Sequence, residues 1–157
     1  MSANEDSAGA RPDGLRAAWN RLAAYLEGVV GHSLLAVAAR FAIAGIFFMS
    51  GRTKVEGWLT VSDNAIALFA DEYKVPLLPP ELAAHTAAYA EHLFPLLLAL
   101  GLATRFAALA LLGMTVVIQV FVYPAAWAVH LSWAGLLLYL IGRGAGAVSL
   151  DRVLGLK

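Results

Sequence analysis

The sequence predicts an all-α membrane protein: a four-transmembrane-helix bundle with an amphipathic N-terminal helix and a short periplasmic loop helix. Three observations predict it. Of 157 residues, 61% are hydrophobic and 14% charged, where a soluble domain is nearer half apolar and a quarter charged. The apolar residues gather into runs approaching the ~20 residues that a helix needs to cross a bilayer. Ionisable residues inside those runs are few, Arg40, Glu91, His92 and His130 being the ones set deep in them. A net charge of zero offers no bulk field to draw nucleic acid or acidic substrates. The length allows one domain and no separate soluble catalytic module.

The elements follow in order. Residues 1–14 (MSANEDSAGARPDG) are small and polar, broken by Pro12 and Gly14, and read as a disordered tail. Residues 15–30 carry Leu15, Ala18, Trp19, Leu22, Tyr25, Leu26 and Val29 at helical spacing, which predicts an amphipathic interfacial helix. No continuous apolar stretch precedes a small-residue cleavage site there, so targeting is expected to come from the first membrane helix. Residues 33–157 form the membrane domain, with spans at about 33–51, 82–103, 105–123 and 126–141. Pro124 closes the third span and Gly142-Arg143-Gly144 the fourth, as a helix stop and not a phosphate cradle.

The loop at 52–81 has its own pattern. Trp58, Val61, Ala65, Leu68 and Phe69 make a stripe opposite Asp63 and Asn64, predicting a short helix on the membrane face. Pro76, Pro79 and Pro80 then favour a stiff, extended strap. With the N-terminus inside, seven Lys and Arg fall on the cytoplasmic side and three (Arg52, Lys54, Lys74) on the outer side. That asymmetry predicts a cell inner (cytoplasmic) membrane protein, multi-pass, with both termini cytoplasmic.

Each polar residue at depth needs a partner or a wet cavity, because a mid-membrane charge costs at least ~2.5–3.5 kcal/mol. Counted from the outer end of its helix, Arg40 lies roughly 16 Å deep and Glu91 roughly 13 Å. The two are expected to form a structural ion pair, Arg40–Glu91. Lys54, Glu91, His92, Gln119, Tyr123, His130 and Trp133 are the ligand-binding candidates, all in the outer half. His130 shares a helix face with Trp127 and Trp133, an imidazole between two indoles. Such a set suits a flat amphipathic molecule. The plainer reading makes Trp127 and Tyr123 interfacial anchors and Gln119 interhelical glue.

No metal site is expected, since His32, His85, His92 and His130 show no HxxxH or HxxE spacing. The absence of cysteine removes thiol relays, disulfides and thiolate-held clusters.

The run Phe47-Phe48-Met49-Ser50-Gly51-Arg52-Thr53-Lys54, the loop Phe69-Ala70-Asp71-Glu72-Tyr73-Lys74-Val75-Pro76 with Pro79-Pro80-Glu81, and Glu91 resemble the DoxX family. So do Leu100-Gly101-Leu102-Ala103-Thr104-Arg105, Tyr123-Pro124 with Trp127 and His130, and Ser149-Leu150-Asp151. The resemblance covers about Ala39 to Asp151. It implies a four-helix membrane protein related in fold to vitamin K epoxide reductase, from a family named for subunits associated with quinol oxidation and thiosulfate:quinone oxidoreduction. Other members look like accessory proteins of oxidative-stress or metal responses. Lys54, Glu91 and His130 match the family's recurrent polar positions. Quinone-reductase relatives of the fold work through paired cysteines, which this chain lacks.

The expected function is therefore a quinone- or lipid-like-molecule-binding accessory subunit of a membrane redox or stress-response system, without independent activity. Quinone is the one cofactor implied. The partners expected are the lipid bilayer and a second copy or a redox enzyme, with no nucleic acid. The alternatives are a membrane scaffold that docks a soluble enzyme and a small-solute transporter.

Overall fold

The computed structural model describes residues 12–156, in two compact units that divide after Gly31. The first is the helix α1 (Pro12–Val29). Proline is tolerated in a first helical turn because its missing N–H has no partner to lose there. Pro12–Gly14, expected in the disordered tail, thus belong to the helix, and the rest of that tail lies outside the described residues. Leu15, Ala18, Trp19, Leu22, Tyr25, Leu26 and Val29 make one apolar stripe along α1.

The second unit contains α2 (His32–Arg52), a hairpin of β1 (Val55–Glu56) and β2 (Thr60–Val61), and α3 (Asp63–Leu68). Then come α4 (Pro80–Leu100), α5 (Thr104–Val117), α6 (Trp127–Arg143) and the single turn α7 (Leu150–Val153). The helix α5 continues as a π-turn through Val122, and a 3₁₀ turn at Pro124–Ala126 leads into α6. The long helix α2 packs on α4 and α6, and α5 packs on the same two, so the four close a ring. Small residues let them approach: Ala36, Ala39, Ala44, Ala107 and Ala108 are buried among Ile43, Phe47, Leu98, Leu111, Leu137 and Leu140. Three segments, His32–Arg52, Thr104–Val122 and Pro124–Arg143, are long and apolar enough to cross a membrane. At 21 residues α4 equals α2 in length, but it carries Glu81, His85, Glu91 and His92.

Two glycines set the register of α2 against α4. A β-carbon on Gly51 would stand 2.9 Å from His92 Nδ1 and 3.0 Å from Glu91 Cβ, so Gly51 lies opposite that pair. Gly101, at φ +66°, leaves 2.8 Å between its β-carbon position and Arg40 Cζ. Arg40 is therefore level with the C-terminal end of α4, about 11 residues or roughly 16 Å from Glu91 along the paired helices. The first turns of α4 overshoot α2 and bury Ala83, Ala84 and Ala88 against Val55, Val61, Ala65 and Phe69.

This register overturns the expected Arg40–Glu91 ion pair. Depths counted from each helix's own end agree only when those ends are level, and here they are offset. The Arg40 guanidinium instead donates to four carbonyls: Leu98 at 2.7 Å, Ala99 at 2.7 Å, Ala145 at 3.0 Å and Val148 at 2.6 Å. Two of these belong to the last turn of α4, where cations are favoured; Leu98 also accepts from the Gly101 N–H at 3.0 Å, and Ala99 has Arg40 as its donor. At the same end the Asp151 carboxylate accepts from the backbone N–H groups of Ala103 at 2.6 Å and Thr104 at 3.0 Å, capping α5. Arg105 donates to the Ile141 and Gly142 carbonyls at the end of α6.

The loop corrects a second expectation. Trp58 is not on the loop helix but in the hairpin turn, 91% exposed, where Gly57 at φ +57° reverses the chain. The helix α3 starts at Asp63 because Ser62 caps it, its hydroxyl accepting from the Ala65 N–H at 3.2 Å. A π-turn, Phe69–Tyr73, extends α3, and Lys74 at φ 44° ends it before the proline strap.

Candidate functional site

A cavity of about 460 Å³ lies between α4 and the second half of α5. Phe47 and Ile46 of α2 form its back wall, and Phe69, Tyr73, Val75 and Leu78 from the π-turn and strap lie over it. Small side chains hollow it out: Ala83, Ala87 and Ala90 face it from α4, and Gly113 from α5. Thr86, Gly113 and Val117 line it and are also exposed. These three open it on the flank of the bundle, between α4 and α5, and Leu78 and Tyr123, exposed as well, line it at the strap end. The lining is overwhelmingly apolar, with polar groups concentrated in Ser50, Lys54, Glu91, His130 and the two tyrosines.

Lys54 and Glu91 form the ion pair that the bundle does contain, Nζ to Oε2 at 2.7 Å, the only one among the described residues. Both are buried, at 6% and 3% exposure. Lys54 sits just past the end of α2, and its stem runs back along the helix. Its ammonium donates to the Ser50 hydroxyl at 3.0 Å and the Ser50 carbonyl at 3.3 Å. With Glu91, those contacts use all three of its protons. One turn further along α4, Pro95 has no N–H to give the Glu91 carbonyl.

His130 borders the cavity from α6, its ring edge-on to Trp133 at 5.0 Å, and Trp133 is edge-on to Phe47 at 5.6 Å. Gln119 spends its amide N–H on the Pro124 carbonyl at 2.8 Å. Its Oε1 then faces His130 Nδ1 at 2.7 Å, so Nδ1 is the donor, and in the neutral ring Nε2 keeps its lone pair. At the rim, Tyr123 donates to Tyr73 at 3.2 Å with the rings edge-on at 5.7 Å. Burial holds the Tyr73 phenol above its usual range, so it stays protonated.

Residues 35–124 match the DoxX family model. The chain belongs to the DoxX family. An uncharacterized protein of Haemophilus influenzae is 33% identical over 138 residues, 80% of this chain and 86% of its own length. No solved structure matches the chain. With its apolar helices, membership makes it an all-α membrane protein.

Of the candidates read from the sequence of this DoxX chain, Lys54, Glu91, Tyr123, His130 and Trp133 line the one cavity. Gln119 stands behind His130 and lines a second cavity of about 300 Å³ between α5 and α6, which His130 and Trp127 also border. His92 is not in the site. It follows Glu91 by one residue and points about 100° away, edge-on to Phe48 at 5.2 Å, its Nδ1 bonded to the Ala88 carbonyl at 2.7 Å. Its Nε2 is buried without a partner. Among the described residues no three His, Asp or Glu side chains converge as metal ligands do.

Sequence reasoning missed Ser50 and Tyr73. Ser50 had a legible signal, standing four residues before Lys54 on the same helix face. Tyr73 had none, because a π-turn shifts its direction relative to α-helical spacing. The second π-turn, Ile118–Val122, does the same for Tyr123, so the two turns bring the tyrosines together.

Proposed function

We propose that this DoxX-family protein binds a lipid-soluble molecule with a polar head, of quinone type, taken up sideways from the bilayer. The observation that carries the reading is an apolar cavity whose mouth opens between two membrane helices and whose polar groups are gathered at the Lys54–Glu91 pair and His130. A water-soluble substrate would need a wetter lining. The chain serves as an accessory subunit of a membrane redox or stress-response system, because without cysteine it supplies no thiol-based electron carrier.

In this reading α4 is the fourth span. Its 21 residues extend about 31 Å, enough for a hydrocarbon core of about 30 Å, and its buried carboxylate is neutralised by Lys54. Arg105, Arg143 and Arg152 gather at the α7 end, which supports a reading with that end in the cytoplasm and the hairpin outside an inner membrane. The apolar stripe of α1 lies on the membrane surface. A second reading, a scaffold docking a soluble enzyme, is favoured by Trp58 and Leu77, exposed at 91% and 100%.

The test fills the cavity. Gly113 lines the cavity and a β-carbon there meets nothing within 4 Å, so Gly113→Phe is the substitution chosen to add bulk at the void. The purified wild-type protein should gain several degrees of thermal stability with decylbenzoquinone or decylbenzoquinol, in proportion to occupancy. Gly113→Phe should fold normally and gain nothing. A wild-type protein indifferent to both compounds would sink the reading.

A further inference from the structure

Resting on the reading just given, the donor and acceptor count at the polar end of the cavity carries a choice between ligand forms. All three protons of Lys54 are used within the protein, on Glu91 and on both oxygens of Ser50. The ammonium therefore has no proton left for a ligand, and the hydroxyls of Ser50 and Tyr73 can serve a carbonyl or a hydroxyl alike.

Free acceptors remain. A carboxylate has about four lone-pair positions. The protein fills one of them, through Lys54 on Oε2, which leaves acceptor capacity on a side chain that lines the cavity. His130 is the second case. Gln119 is fixed by its own bond to Pro124 and holds the imidazole proton on Nδ1. Nε2 is left as an acceptor with no protein partner, on a ring that also lines the cavity.

A carbonyl set against these two would bring lone pairs to lone pairs, and a hydroxyl would bring protons to them. A buried acceptor left unpaired costs more than a made bond contributes, so a site of this kind rejects the analogue lacking the proton. We propose that the cavity selects hydrogen-bond donors: a lipid-soluble quinol or phenol, in preference to the matching quinone or ether.

Three probes of one shape test this on the wild-type protein in lipid nanodiscs without oxygen: decylbenzoquinol, its dimethyl ether, and decylbenzoquinone. The quinol should bind about tenfold or more tighter than either of the others. Equal or tighter binding of the quinone or the ether would overturn the choice of form while leaving the broader binding reading intact. If none of the three binds, both fall together. His130→Phe keeps a ring against Trp133 but has no lone pair, and the quinol's advantage should shrink several-fold in it. An undiminished advantage would overturn the part assigned to His130.

Discussion

Arg40→Met is expected to destabilise the protein on the order of 4 kcal/mol. The guanidinium serves four carbonyls from two places in the chain, Leu98 and Ala99 at the end of α4 and Ala145 and Val148 in the segment after α6. An apolar side chain of similar volume fills the space but supplies no donor. Leu98 keeps the Gly101 N–H at 3.0 Å, but Ala99, Ala145 and Val148 lose their donor, and each costs about 1–3 kcal/mol, moderated where water reaches it, as at the exposed Val148. Arg40→Lys should recover less than half of the loss, because an ammonium is a point donor and lacks the planar fork that reaches both segments at once. Arg52→Met is the control. Its guanidinium bonds the Gly57 and Trp58 carbonyls at the surface, and the loss should stay within about 1 kcal/mol. Unfolding curves of the four proteins in one detergent measure all of this, and equal effects at positions 40 and 52 would contradict it.

The second large effect concerns Lys54 and Glu91. Either single change, Lys54→Met or Glu91→Leu, strands a buried charge and should cost about 3–5 kcal/mol. The double variant removes both charges and should recover most of that loss, since a buried ion pair is often no more stable than a well-packed apolar replacement. The double variant also separates the pair's two roles. It should fold, and it should no longer bind decylbenzoquinol. A double variant as unstable as the sum of the singles would mean the two side chains act independently, against their 2.7 Å contact.

Much of this architecture was legible in the residues. Long apolar runs mark α2, α5 and α6, and family membership follows from motifs spread along most of the chain. His130 and Trp133, three apart on one helix, announced a shared face, and they do stand edge-on. What could not be read was vertical offset. The alanine-rich start of α4 looks like the outer end of a span, yet Ala83, Ala84 and Ala88 pack on the hairpin and α3, and no local signal reports that overshoot. The error moved Glu91 to the level of Arg40 and hid its contact with Lys54. The π-turns at Phe69–Tyr73 and Ile118–Val122 are equally silent, because a single extra residue in a helical turn has no characteristic composition. Trp58 shows the opposite failure. Its place in an apolar stripe was genuine as spacing, but the strand Thr60–Val61 and the cap at Ser62 separate it from the helix that the spacing requires.

The central claim is that an apolar ligand enters between α4 and α5 and rests beside Glu91 and His130. Photolabelling in intact membranes tests it most directly, with a decylphenol carrying a diazirine and the labelled residues mapped by mass spectrometry. Labels should concentrate on Ala83–Phe94 and Gly113–Val122 and should largely disappear in Gly113→Phe. Labels spread over the exposed outer faces, at Phe41, Leu131 and Leu138, with no enrichment along the cavity, would contradict the account.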